Sequence, residues 1–144
     1  MYSNPASSSP FSRGKTFSSA YRQVGVETGV ASASAHRLVQ MLFDGLLEAI
    51  QQARGAMQQA RVEAKGRAIG RAVRIVDEGL KAGLDLRAGG ALAADLNDLY
   101  AYVTLRLTQA NLRNDERALD ECLALVQPLR EAWASIAPLP AAQA

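Results

Sequence analysis

The side chains able to do chemistry in this chain are few and scattered. Its 144 residues include one histidine, His36, and one cysteine, Cys122. A di-metal site inside a helical protein needs inward Glu residues together with Glu-x-x-His pairs, which one histidine cannot supply. His36 therefore reads as a solvated or helix-end residue. Cys122 has no second thiol for a disulfide, a redox pair or a zinc site. It shares a helical stripe with Leu125 and Leu129, so it is expected to be a small buried hydrophobe and not a nucleophile. The carboxylates of Asp77, Glu78, Asp85, Asp95 and Asp98 read as solvated faces or helix-start charges. Gly89-Gly90 lacks the Lys-Ser/Thr of a phosphate-binding loop and follows a helix, not a strand. Tyr100 and Tyr102 could stack nucleic-acid bases only beside a basic groove. The net charge is +2, and the basic residues are interleaved with acidic ones, which argues against nucleic acid. No enzyme, metal site or cofactor is expected.

The elements that carry these residues are helices. The chain is 49% hydrophobic, 21% charged and 6% aromatic, a balance suited to one soluble helical domain. The N-terminus "MYSNPASSSPFSRGKTF" has no apolar run of the secretory kind. No stretch approaches the roughly 18 apolar residues that span a bilayer. A cytoplasmic protein without membrane insertion is expected.

Residues 1–16, rich in Ser and Pro, read as a mobile tail. "TFSSAYRQV" can make a short helical turn with Phe17, Tyr21 and Val24 on one side, and "GVETGVASAS" reads as an extended connector. Ser34 is a good N-cap for a first long helix reaching about Ala60. Its stripe is Leu38, Val39, Leu42, Phe43, Leu46, Ile50, Ala53 and Met57. A second helix is expected over 64–87, with Ile69, Val73, Val76, Leu80 and Leu84 inward, ended by "RAGG". The third buries Leu92, Leu96, Leu99, Val103, Leu107 and Ala110. The fourth, capped by Asn114 or Asp115, runs to about Ile136 through Ala118, Cys122, Leu125, Val126, Leu129 and Trp133. Pro128 is expected to bend it. Residues 137–144 read as a frayed end. The fold class is all-α, an antiparallel four-helix bundle over 17–136.

Two helices carry more apolar surface than such a bundle needs. On the second, Ala68, Ala72, Ile75, Gly79, Ala82 and Leu86 form a further row. On the third, Ala94, Ala101, Leu105, Thr108 and Leu112 lie nearly opposite the buried stripe. Side by side, these rows would make an apolar groove of the kind that marks an interface. An amphipathic peptide, folding as it binds, would fit it. Phe17, Tyr21 and Val24 could act as a lid over part of the empty groove. The competing expectation is a self-associating scaffold that buries the rows in a homodimer.

Five collinear blocks carry a family resemblance: "AYRQVGVETGV", "SASAHRLVQMLFDG", "GLKAGLDLRAGG", "LNDLYAYVTLRLTQANLRND" and "LREAW". Over about residues 20–136 the chain resembles the flagellin-specific secretion chaperones of the bacterial flagellum. Ala35 departs from the family, which usually places Pro after the capping Ser; Pro at the first helical position is helpful but replaceable. The resemblance implies a four-helix bundle. It also implies a partner, the C-terminal segment of flagellin, held in the cytoplasm against premature polymerisation and presented to the flagellar type III export apparatus. It further implies that the N-terminal segment, through Tyr21, packs on the bundle and can yield to the ligand. Some relatives also bind an anti-sigma factor or a co-chaperone. The positions expected to meet flagellin, from periodicity alone, are Ile75, Ala82, Leu86, Ala101, Leu105, Thr108 and Leu112.

Overall fold

The structure, a computed structural model, describes residues 16–24 and 32–136. The expected tail and frayed end lie outside them, except for Thr16, as do residues 25–31 of the expected connector, whose last three residues, 32–34, are helical instead. Among the described residues every regular element is helical. A short helical segment, 16–24 with a turn at Tyr21, precedes α1 (Ser32–Gln58), α2 (Val62–Arg74), α3 (Gly90–Arg113) and α4 (Glu116–Ala134). Ile75–Lys81 continues α2 as a π-helix. Successive helices pack on one another and α4 returns to α1, so the four close a bundle.

The core follows from the stripes. Phe43, Leu46 and Ile50 of α1, Ile69 of α2, Val76 and Leu80 of the π-helix, Val103 and Leu107 of α3, and Leu119, Cys122 and Val126 of α4 are all buried. Ser34 lies inside α1, which begins two residues earlier than its cap was expected. Helix α4 runs unbroken through Pro128. The ring is exposed, and so is Ala124, whose carbonyl loses its helical donor there; water can replace that bond.

The second helix departs most from expectation. It ends at Lys81, not near residue 87, and its last turns widen into the π form, with the Ala82 N–H reaching the Asp77 carbonyl at 3.2 Å. Four of its buried residues, Ala68, Ala72, Val76 and Leu80, step by fours, and such steps drift about 40° each around an ordinary α-helix. Wider turns cancel that drift and keep Leu80 inward. Beyond Lys81 the connector turns on Asp85, whose Oδ1 accepts the Arg87 and Ala88 N–H groups.

The turns at the far end of the bundle close by one device. Ala60 (φ 58°) and Asn114 (φ 54°) are left-handed, and the following N–H groups of Arg61 and Asp115 reach back to the carbonyls of Ala56 (2.8 Å) and Ala110 (3.0 Å). This is the helix-ending pattern that favours Gly or Asn. Asn suits it; Ala carries a Cβ penalty. Ala60→Gly is expected to be neutral or to stabilise by up to about 1 kcal/mol, checked by urea unfolding. Asp115 then caps α4, its Oδ1 accepting from the N–H groups of Arg117 (3.0 Å) and Ala118 (3.3 Å).

Candidate functional site

The outer row of α3 stands open. Ala94, Ala101 and Thr108 are exposed, Leu105 is 51% exposed and Leu112 81%. Opposite them Leu96, Tyr100, Val103 and Leu107 fill the core, so the row is the ridge pointing straight away from the bundle. Polar bonds tie down both flanks. Thr104 donates to Asp77 Oδ1 on the π-helix at 3.0 Å. On the α4 side, Tyr102 and Arg106 both donate to Glu121 at 2.7 Å, and together they hold its carboxyl below the usual range. Thr108 donates to its own helix, at the Thr104 carbonyl, and so demands nothing from a partner. The apolar ridge is thus framed by side chains already satisfied.

The row on the second helix does not join it. Ala68 and Ala72 belong to the core. Ile75 is half-buried with its Cδ1 close to Gly45 of α1, and Gly79 lies under Leu42, so tightly that a Cβ there would come within 2.8 Å of the leucine. Ile75 and Gly79 thus lie against helix α1. Ala82 and Leu86 are exposed, but on the connector after the helix. The early helix end explains why Ala82 and Leu86 leave the row, and the wider turns of the π-helix re-aim Gly79.

The N-terminal segment does not cover the ridge either. It plugs the end of the bundle where α1 begins and α4 ends. Phe17 and Tyr21 are buried, and Val24 is half-buried against Gly83. The Phe17 ring meets Trp133 edge-on at 4.9 Å and Phe43 at 6.3 Å; Tyr21 meets Trp133 at 5.5 Å. The Tyr21 hydroxyl donates to the Leu80 carbonyl at 2.8 Å and sits 2.8 Å from the Tyr100 hydroxyl. A carbonyl only accepts, so Tyr100 is the donor to Tyr21. Leu80 lies at the helix end, where carbonyls lack helical donors, and Tyr21 supplies one. The Asp85 N–H meets the Ala20 carbonyl at 2.7 Å, and Gly89 approaches so closely that a Cβ would lie 2.7 Å from Ala20 Cα.

The residues weighed for chemistry are occupied structurally. His36 stacks on Trp133 at 4.8 Å; its Nε2 faces the Trp133 carbonyl, and Trp133 Nε1 donates to the His36 carbonyl at 2.9 Å. Tyr100 is fully buried and so presents no face for stacking. Among the described residues no group of three His, Cys, Asp or Glu could hold a metal, and no helix is long and apolar enough to cross a membrane. Cys122 is fully buried, and desolvation, with Glu121 nearby, pushes its thiol up to about 12. Burial likewise raises the phenols of Tyr21 and Tyr100. An unfolded chain releases these protons at ordinary values, so the stability they give is full below about pH 9 and is lost as pH rises toward 12. Two results are expected: no reaction of native Cys122 with a thiol reagent at pH 8, and a melting temperature that falls above about pH 9, less steeply in Cys122→Ala.

Two features escaped the sequence reading. Leu38, Met41 and Val62 are further exposed apolar residues; Leu38, expected in the inward stripe of α1, lies at its outer edge, and Met41 lies outside that stripe. Lys65 is only 7% exposed and donates at 3.1 Å to both the Asn111 carbonyl and Asn114 Oδ1. It ties α2 to the end of α3, and no periodicity marks a lysine as buried.

The chain matches the family model described as flagellar protein FliS over residues 17–140. It is 50% identical over 119 residues to the flagellar secretion chaperone FliS of Salmonella typhimurium, covering 83% of this chain and 88% of that protein. It is 44% identical over 116 residues to flagellar secretion chaperone FliSB of Pseudomonas aeruginosa, covering 81% and 91%. The FliS of Bacillus subtilis is 32% identical over 114 residues, covering 79% and 80%. The family match runs through the N-terminal plug and all four helices, and with these relatives it places the chain in the FliS family of flagellar proteins.

Proposed function

We propose that this protein is a flagellar secretion chaperone acting in the cytoplasm, where it holds the C-terminal segment of flagellin on the outer row of α3. The observation that carries this is the exposure of Leu105 and Leu112 on a ridge framed by satisfied polar groups. An apolar stripe one helix long suits an amphipathic segment that orders as it binds. Leu86 beyond α2, and Leu38 and Met41 on α1, are exposed on other faces and would meet a ligand that wraps the bundle. Part of the contact energy goes into ordering the segment, so affinity stays moderate for the area covered. Release to the export apparatus then needs no covalent step; the FliS proteins are chaperones and not enzymes. Binding would keep flagellin from polymerising before export.

Calorimetric titration with a synthetic peptide of about the last forty flagellin residues, long enough to follow α3 from end to end, tests this. One-to-one binding with a large negative heat-capacity change is expected. No heat at any temperature, together with a concentration-dependent dimer, would instead assign the row to self-association.

A further inference from the structure

The ridge of α3 runs into a cleft. Leu112, its last and most exposed member, also lines an opening of about 260 Å³ between the α1–α2 turn and the end of α3. Met57 and Val62 give it further apolar wall, and Arg61, Lys65 and Asn114 give it polar wall. The two cations are unusual. A lysine ammonium has three donors, and Lys65 spends two on neutral acceptors, the Asn111 carbonyl and the Asn114 side-chain oxygen. Among the described residues no third acceptor stands against it, and this lysine, with only 7% of its surface exposed, has no acidic partner there, whereas buried charges are ordinarily paired. The negative end of the α3 dipole offsets part of that charge but does not engage the third donor or Arg61. None of the ion pairs among the described residues includes Arg61 or Lys65.

A monovalent anion carried on an apolar chain fits such a cleft. A peptide lying on the ridge with its C-terminal end toward Leu112 would bring its terminal carboxylate there, and in helical form its last unpaired carbonyls as well, both negative. The ridge stops at this point, because α3 ends at Arg113 and the chain turns at Asn114. We propose that Lys65 and Arg61 bind the terminal carboxylate of the peptide held on α3, so that the ligand is read by its free end and lies with its C-terminus at the α3–α4 turn. The proposal rests on the peptide-binding role of the α3 ridge.

The test compares two synthetic forms of the same flagellin C-terminal peptide, free acid and C-terminal amide, titrated into the parent protein, Arg61→Gln and Lys65→Met. The amide is expected to bind the parent roughly tenfold to a hundredfold more weakly than the acid, the range of a charge-assisted contact. In each variant the acid should lose much of its advantage and approach the amide's affinity, and an advantage undiminished in both would overturn the two cations as its anchor. Arg61 is exposed, so Arg61→Gln keeps the test available if Lys65→Met does not fold. Equal binding of acid and amide to the parent would overturn the carboxylate anchor and leave peptide binding standing. Binding of neither form would overturn peptide binding on α3, and the anchor with it.

Discussion

Replacing Tyr21 by Ala is expected to remove about 3–5 kcal/mol of stability, the range for emptying a buried aromatic site. The ring packs against Phe17 and Trp133, and its hydroxyl serves both Leu80 and Tyr100. Tyr21→Phe separates the two contributions. It keeps the ring but leaves the Leu80 carbonyl without its donor and Tyr100 without its acceptor, at a cost of about 1–3 kcal/mol. Thermal melts followed by circular dichroism would measure both, and Trp133, the single tryptophan, reports departure of the plug by its fluorescence. A melting temperature unchanged by Tyr21→Ala would make the segment a loosely held lid. If the loss is as large as expected, a ligand can displace the plug only by binding the opened form more tightly by a comparable energy.

Leu105→Asp combined with Leu112→Asp is expected to weaken flagellin peptide binding about a hundredfold or more. Each exposed leucine covered by a partner contributes roughly 1.5 kcal/mol or more through burial, and 1.4 kcal/mol is a factor of ten. A carboxylate trapped in an apolar contact adds its own penalty. The same variant should unfold within about 1 kcal/mol of the parent, because neither side chain belongs to the core. Unchanged affinity in a well-folded variant would remove the ridge from the flagellin site. Lost affinity together with lost folding would show Leu105 and Leu112 to be structural, against their exposure.

The bundle was legible because its stripes are long. Val39 to Met57 in α1 and Leu96 to Ala110 in α3 repeat at threes and fours over several turns, and burial follows them. The outward row of α3 was visible for the same reason: Leu105 and Leu112 sit opposite a clear stripe. The second helix misled because a fixed period of 3.6 was carried through a segment whose turns are wider. That assumption placed Ile75 and Gly79 beside α3, whereas they face α1. Alanine adds ambiguity, since Ala72 is fully buried and Ala101 exposed with nothing in residue type to separate them. The plug was readable as a helical turn but not as core. Its partners, Leu80, Tyr100 and Trp133, are distant in sequence, and one sequence alone does not show which distant segments meet. Lys65 was hidden for a related reason, because its acceptors exist only once the α3–α4 turn is formed.

The plug also sets an order of assembly. Tyr21 reaches Leu80 and Tyr100 across 59 and 79 positions, and its contact with Trp133 spans more of the chain still. The hairpins α1–α2 and α3–α4 close through short turns, at much lower loop entropy. The plug, among the first described residues to leave the ribosome, therefore waits for α4 to be made before it can dock fully. Until then the Leu80 carbonyl has no firmly docked Tyr21 hydroxyl to meet, and Phe43 and Phe17 lack the Trp133 ring that packs on the plug. A nascent chain stalled before α4 would carry that end of the bundle open, a natural point for recognition by general folding factors.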